Sequence, residues 1–135
     1  MNPYNSTTRT VSRLDEHTVL LRYMDHTLVE LEDVKNNYRL LDLFTKKLPI
    51  KKLVVMGMNT DFSLDARAYI HDESQHHKHK IMAEAIVFNS LSQQHMLEDF
   101  VNQVPRDFPI QLFDSLEAAT EWIKIQPATA FLQSA

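Results

Sequence analysis

The chain has 135 residues, 44% of them apolar and 24% charged, and a net charge of −4 with its histidines neutral. That size and composition suit one globular domain, and a net-acidic chain lacks the basic surplus that nucleic-acid binding calls for. The absence of cysteine excludes disulfides, thiolate metal sites and a cysteine nucleophile.

No apolar run approaches the ~20 residues of a membrane span. Residues 1–10, MNPYNSTTRT, lack the apolar stretch of a secretory signal. The expectation is a cytoplasmic protein with neither membrane nor nucleic acid as partner. Gly57 is the only glycine, against a usual share of ~7%. Phosphate-cradling loops need several glycines so that the backbone can approach the anion. G-x-x-x-x-G-K, G-x-G-x-x-G and G-x-S-x-G are all missing. No nucleotide cofactor is therefore expected, and no serine hydrolase with a nucleophile elbow.

Taken in order, residues 1–6 are polar and expected to fray. Thr8 to Leu14 roughly alternates and is rich in β-branched residues, which suits a strand with one wet face. Asp15-Glu16-His17 turns into a second, more apolar strand, Thr18 to Met24, so the two form an antiparallel hairpin. Asp25 or Thr27 then caps a helix. Its stripe is Leu28, Leu31, Val34, Tyr38, Leu41 and Phe44, with Glu30, Glu32, Asp33, Lys35 and Asn37 mostly on the other side. The pattern spans about 18 residues, ends at Lys46-Lys47 and is closed by Pro49.

Lys51 to Gly57 is apolar without clean alternation, as a strand covered on both faces should be. After the loop Met58-Asn59-Thr60-Asp61, Ser63 opens a second helix that runs to about Glu73. Ser74 to Lys80 reads as an exposed connection. Ile81 to Phe88 has high helix propensity in its first half, yet Ile86-Val87-Phe88 and the strand–helix rhythm predict a fourth strand. Asn89-Ser90 caps a third helix, Leu91 to Val104, in which Met96, Phe100, Val101 and Val104 share a face. Pro105 breaks it. Phe108 to Phe113 is a short fifth strand with Pro109 at its start or on an edge. Asp114-x-x-Glu117 resembles a capping box for a last helix buried through Leu116, Ala119, Trp122 and Ile123 and ended by Pro127.

The order β-β-α-β-α-β-α-β-α predicts a mostly parallel five-stranded sheet with four helices, the first strand adding antiparallel. One domain over residues 1–135, with an ordered core of about 8–125, is expected.

The order and spacing of several short motifs carry a resemblance. A strand is followed by S-x-x-A-R (Ser63, Ala66, Arg67), and an alanine-bearing strand A-x-A-I-V (Ala83, Ala85, Ile86, Val87) comes next. P-I-x-L-F (Pro109 to Phe113) and A-x-x-W-I (Ala119 to Ile123) follow. Over roughly residues 8–125 the chain resembles small bacterial SpoIIAA-like, or STAS-like, proteins. Among these it resembles an uncharacterised family ending in F-x-x-x-x-x-A-x-x-W-L. The resemblance implies a STAS-type sheet with helices packed on it. In the anti-sigma-factor antagonists of this fold, a phosphorylatable serine in D-S-S or D-S-G follows the corresponding strand. This chain has Thr60-Asp61-Phe62-Ser63, so Ser63 matches by approximate position, with no second serine and no glycine after it.

Ser63 is thus a phosphoacceptor candidate at a helix N-terminus, a place that favours anions; an N-cap serine looks the same in sequence. Asn59, Thr60, Asp61 and Ser63 after one strand, and Asn89, Ser90 and Ser92 after the next, share a sheet edge if those strands are parallel neighbours. They then form a polar crevice with two helix N-termini, suited to a small anion or a partner's carboxylate. Two ordinary capped turns would place the same residues there. Arg67 lies within reach of an anion at that helix start, or forms a salt bridge. His71, His76, His77 and His79 suit a solvated connector better than a metal site, which needs ligands on rigid elements. No metal is expected. Catalysis by Asp61, Ser63 and a histidine is not expected either, because His71 and His76 lie more than ~10 Å along the helix. Tyr69 and Trp122 read as core residues.

The leading expectation is a non-catalytic regulatory or protein-binding module. Its partner is another protein, or a second copy joined through the hairpin edge or Ala130-Phe131-Leu132. The alternative is a carrier of a small apolar or anionic ligand, held in the sheet-edge crevice or in a pocket between helices and sheet.

Overall fold

The computed structural model describes residues 6–44, 49–76, 81–103 and 108–127. Strands β1 (Arg9–Arg13) and β2 (Thr18–Tyr23) form the expected antiparallel hairpin. A two-residue strand, β3 (Leu28–Val29), precedes helix α1 (Leu31–Phe44). Then come β4 (Ile50–Val55), the two-residue β5 (Asp61–Phe62) and helix α2 (Leu64–His76). Strand β6 (Ile81–Val87), helix α3 (Leu91–Gln103), strand β7 (Ile110–Phe113) and helix α4 (Leu116–Ile125) complete the chain. The main sheet has five strands in the order β1-β2-β4-β6-β7, parallel except for β1. Strands β3 and β5 pair in parallel as a small second sheet.

The sheet separates two cores. On one face Val54, Met56, Leu21, Tyr23 and Ile86 pack against Val34 and Leu41 of α1, Ala66 of α2 and Leu97 of α3. On the other, Leu53, Val55, Ala83, Ala85 and Val87 pack against Ala119 and Ile123 of α4. Ala83, Ala85 and Ala119 have no exposed surface, and their small side chains let α4 lie close on the sheet. Burial of both faces explains why β6 is a strand despite its alanines and Glu84: all seven of its residues are buried. Each large aliphatic side chain removed from water here contributes roughly 1.5–3 kcal/mol, more than the differences in local propensity.

Several boundaries differ from the sequence pattern. Leu28 is not on the α1 stripe. Helix α1 starts at Leu31, because Leu28 and Val29 pair with Asp61 and Phe62. Neither Asp25 nor Thr27 caps it; the Asp33 carboxylate accepts from the Glu30 N–H at 2.9 Å, one half of a capping box. Asn37 lies buried against the sheet, not on the polar side. Ser74, Gln75 and His76 continue α2 instead of forming a connection. At α4 the cap is Ser115, one residue after the expected Asp114, and its hydroxyl accepts from the Ala118 N–H. Strand β7 begins at Ile110, and the Pro109 carbonyl accepts from Glu84 N–H at 3.0 Å, so a residue without an N–H opens that strand. Lys46, Lys47, His77, His79, Val104, Pro105 and Ala130 to Leu132 fall outside the described residues.

Candidate functional site

The carboxyl ends of β2, β4 and β6 lie side by side, because β4 is parallel to both neighbours. Two of the loops that leave this edge are clasped together. The Asp25 carboxylate accepts from Met58 N–H at 2.8 Å, and His26 N–H donates to the Met58 carbonyl at 2.6 Å. Asp61 N–H donates to Thr27 O and Ser63 N–H to Val29 O, both at 3.0 Å. His26 and Asn59 each adopt a positive φ, near 56° and 57°, and their side chains meet at 3.2 Å. Gly57 fits this clasp through close approach, since a Cβ there would stand 2.6 Å from the Met24 carbonyl oxygen.

The residues picked from the sequence do come together at this edge. The Ser63 hydroxyl accepts from Ala66 N–H at 3.1 Å and caps α2. Ser90 does the same for Gln93 N–H at α3. Thr60 donates to the Met24 carbonyl at 2.9 Å. Arg67 donates to Asp61 at 2.8 Å and to the Phe62 carbonyl at 3.1 Å. The Arg67–Asp61 pair is exposed, so it stabilises by no more than about 1 kcal/mol. Asn89 donates its amide to the Met56 carbonyl.

The loops after β4 and β6 meet as expected, but a residue absent from the sequence reading fills the space between them. Gln93, 5% exposed, donates to the carbonyls of Gly57 at 2.9 Å and Thr60 at 3.2 Å. Its side-chain carbonyl accepts from Asn89 N–H at 2.7 Å. Ser90 and Gln93 fit the S-x-x-Q capping-box pattern, but that pattern does not point to the two carbonyls; only the pairing of the strands brings Gln93 over the Gly57 loop. Around the clasp Met24, Leu28, Met58, Leu64 and Leu91 are exposed, Leu64 by 80% and Leu91 by 66%.

Away from the edge, a cavity of about 310 Å³ lies between the sheet and helices α1, α2 and α3. Leu21, Val34, Leu41, Val54, Ile86 and Met96 give it an apolar lining. Its polar groups come from every surrounding element. Lys52 and Glu84 are register partners on β4 and β6, and both reach it. The Lys52 ammonium lies 5.8 Å from the Tyr38 ring centroid, a cation–π contact. Tyr23 and Asn37 also line it, hydrogen-bonded to one another at 3.1 Å. Burial, the largest influence, pushes the Tyr23 phenol well above its ordinary range, so it is neutral.

Tyr69 packs partly buried against Tyr38 at 5.9 Å, and Trp122 against Phe113 at 5.7 Å. His71 contacts Asp72 at 3.6 Å. Among the described residues no three His, Asp or Glu side chains are grouped so as to hold a metal ion, and no helix is long and apolar enough to cross a membrane.

No curated protein matches the chain. Among solved structures, an uncharacterised protein of the DUF3478 family from Shewanella loihica PV-4 has a similar fold, described as SpoIIAA-like. The two are 17% identical, the match covers 85% of this chain and 91% of that one, and the TM-score is 0.64. The mixed five-stranded sheet with its four helices is therefore a SpoIIAA-like fold. A profile described as a domain of unknown function, DUF7793, matches residues 13–126, and the chain belongs to that family.

Proposed function

We propose that this protein is a non-catalytic module of the cytoplasm that binds a small apolar molecule in the cavity between its sheet and α1–α3. The cavity carries the reading. It is a cleft open to solvent on one side and measures about 310 Å³, the lower end of the range for ligand pockets. Its lining is mostly apolar with a few convergent polar groups, the usual composition of a small-molecule site. The non-catalytic part of the reading is supported by the hydroxyl and carboxylate candidates at the strand edge. Ser63 is engaged as a cap and Asp61 with Arg67.

The test is native mass spectrometry of the protein purified from its own host, beside Met96→Trp, which places an indole in the cavity. The expected result is a co-purified small molecule on the natural chain and none on the variant. A ligand retained equally by both would move the binding site elsewhere.

A second reading, a module that docks a protein partner, is favoured by the exposed Met24, Leu28, Met58, Leu64 and Leu91 around the clasp. Apolar groups gathered at one end of a molecule mark interaction sites. Ser63 would then be the regulatory position, since phosphate at a helix N-terminus is stabilised by the free N–H groups. The same spectra test this: phosphate on Ser63, removed by phosphatase, supports it, and a bare Ser63 under all growth conditions opposes it.

A further inference from the structure

Arg9 and Tyr23 are register partners on β1 and β2, and α1 lays Asn37 across both. The direction of hydrogen bonding through these three side chains is fixed by chemistry. A guanidinium has donors only, so at 2.6 Å the Arg9 Nε–H donates to Asn37 Oδ1. That orients the Asn37 amide, whose NH₂ must then donate to the Tyr23 oxygen at 3.1 Å. The Tyr23 oxygen is thereby an acceptor, and its own proton is left for something else. Among the described residues nothing takes it. Tyr23 lines the cavity, and because burial raises its pKa it keeps that proton throughout the neutral range.

Charge around the cavity narrows what can take the proton. Lys52, Arg67 and His71 face Glu84 and Asp99 across it, Arg67 is already bound to Asp61, and His71 lies 3.6 Å from Asp72. An anionic headgroup would find no surplus of cations, and a charge taken out of water without one is costly. Of the charges acting on Tyr23, that of Arg9 favours a negative charge there, and those of Glu84 and Asp33 oppose it. A neutral carbonyl needs a single donor.

We propose that the occupant of the cavity is an apolar molecule bearing a neutral carbonyl group, and that Tyr23 donates its hydroxyl proton to that oxygen. This rests on the ligand-binding reading above and adds the ligand's chemical class.

The test uses the full chain and three probes of similar size: acetophenone, its hydrocarbon counterpart ethylbenzene, and benzoate. Each is titrated into the natural protein and into Tyr23→Phe, with binding followed by calorimetry. Acetophenone should bind at least tenfold more tightly than benzoate to the natural chain. Tyr23→Phe should weaken acetophenone about fivefold, the effect of one net hydrogen bond, and leave ethylbenzene unchanged. Retained ethylbenzene affinity also shows that the variant is folded; if it is not, the ranking of acetophenone against benzoate on the natural chain still decides. Equal losses for acetophenone and ethylbenzene, or benzoate binding best, would overturn the carbonyl assignment and leave the cavity a ligand site. If none of the three probes binds, the ligand-binding reading falls and the assignment falls with it.

Discussion

The strand-end clasp and the helix–sheet cavity both gather polar side chains among apolar ones, and they treat them in opposite ways. At the clasp, Thr60, Asp61, Ser63, Asn89, Ser90 and Gln93 each bond to a neighbouring loop or helix end. Gly57 has no room even for a methyl group. In the cavity, about 310 Å³ is left open and the Tyr23 proton has no acceptor among the described residues. The kinds of residue are similar. What separates the structural knot from the candidate binding site is unfilled volume and unused hydrogen-bonding capacity.

Added atoms should affect the two regions in opposite ways. Gly57→Ala puts one methyl against the Met24 carbonyl and the Thr60 hydroxyl. It should destabilise the protein by about 2–3 kcal/mol in urea unfolding, and a cost near zero would show that the clasp yields. Gln93→Ala leaves the Thr60 carbonyl and the Asn89 N–H without the partner Gln93 supplies, and the Gly57 carbonyl with the Thr60 N–H alone. A loss of about 2 kcal/mol is expected, with ligand retention unchanged if the cavity is a separate site. Ser63→Ala removes one N-cap and should cost about 1 kcal/mol. Ser63→Asp keeps an acceptor there and should recover most of it, whereas no difference between the two would argue against the capping role.

Met96→Trp adds far more volume than Gly57→Ala, yet it enters open space and should change stability by less than about 1 kcal/mol. A loss comparable to that of Gly57→Ala would mean that the cavity is not room the side chain can use. The smallest effect concerns Asp15, outside both regions. Burial alone would raise its pKa, but the hydrogen bond from His17 N–H at 2.8 Å, the nearby Thr18 and the charge of Lys51 outweigh that and hold it below the usual value. The unfolded chain therefore takes up this proton first. The stabilisation is present at neutral pH and fades as pH falls through about 4 and below. Urea midpoints of the natural chain and Asp15→Asn should converge there, and a gap that stays constant with pH would remove this contribution.

Much of the fold was legible because local pattern and global burial agree. The buried run Leu53-Val54-Val55 marked a central strand, Pro109 a strand start, and Ser63 and Ser90 the beginnings of helices. Leu28 shows where pattern misleads. Its spacing fits the α1 stripe, but pairing with Asp61, more than thirty residues away, places it in a strand. The cavity was illegible for the same reason. Tyr23, Asn37, Lys52 and Glu84 share no motif, and they converge only once β1, β2, β4 and β6 are in register. The polar edge residues were easy to pick because they lie close in sequence, which is also why they serve local caps and turns so readily.

Methyl-detected NMR during addition of ethylbenzene reads both regions at once. Shifts are expected at Val34, Leu41, Val54 and Ile86, which line the cavity, and none at Leu28, Leu64 and Leu91 on the exposed edge. Shifts confined to the edge, or no shifts at a saturating concentration of the probe, would contradict binding in the cavity.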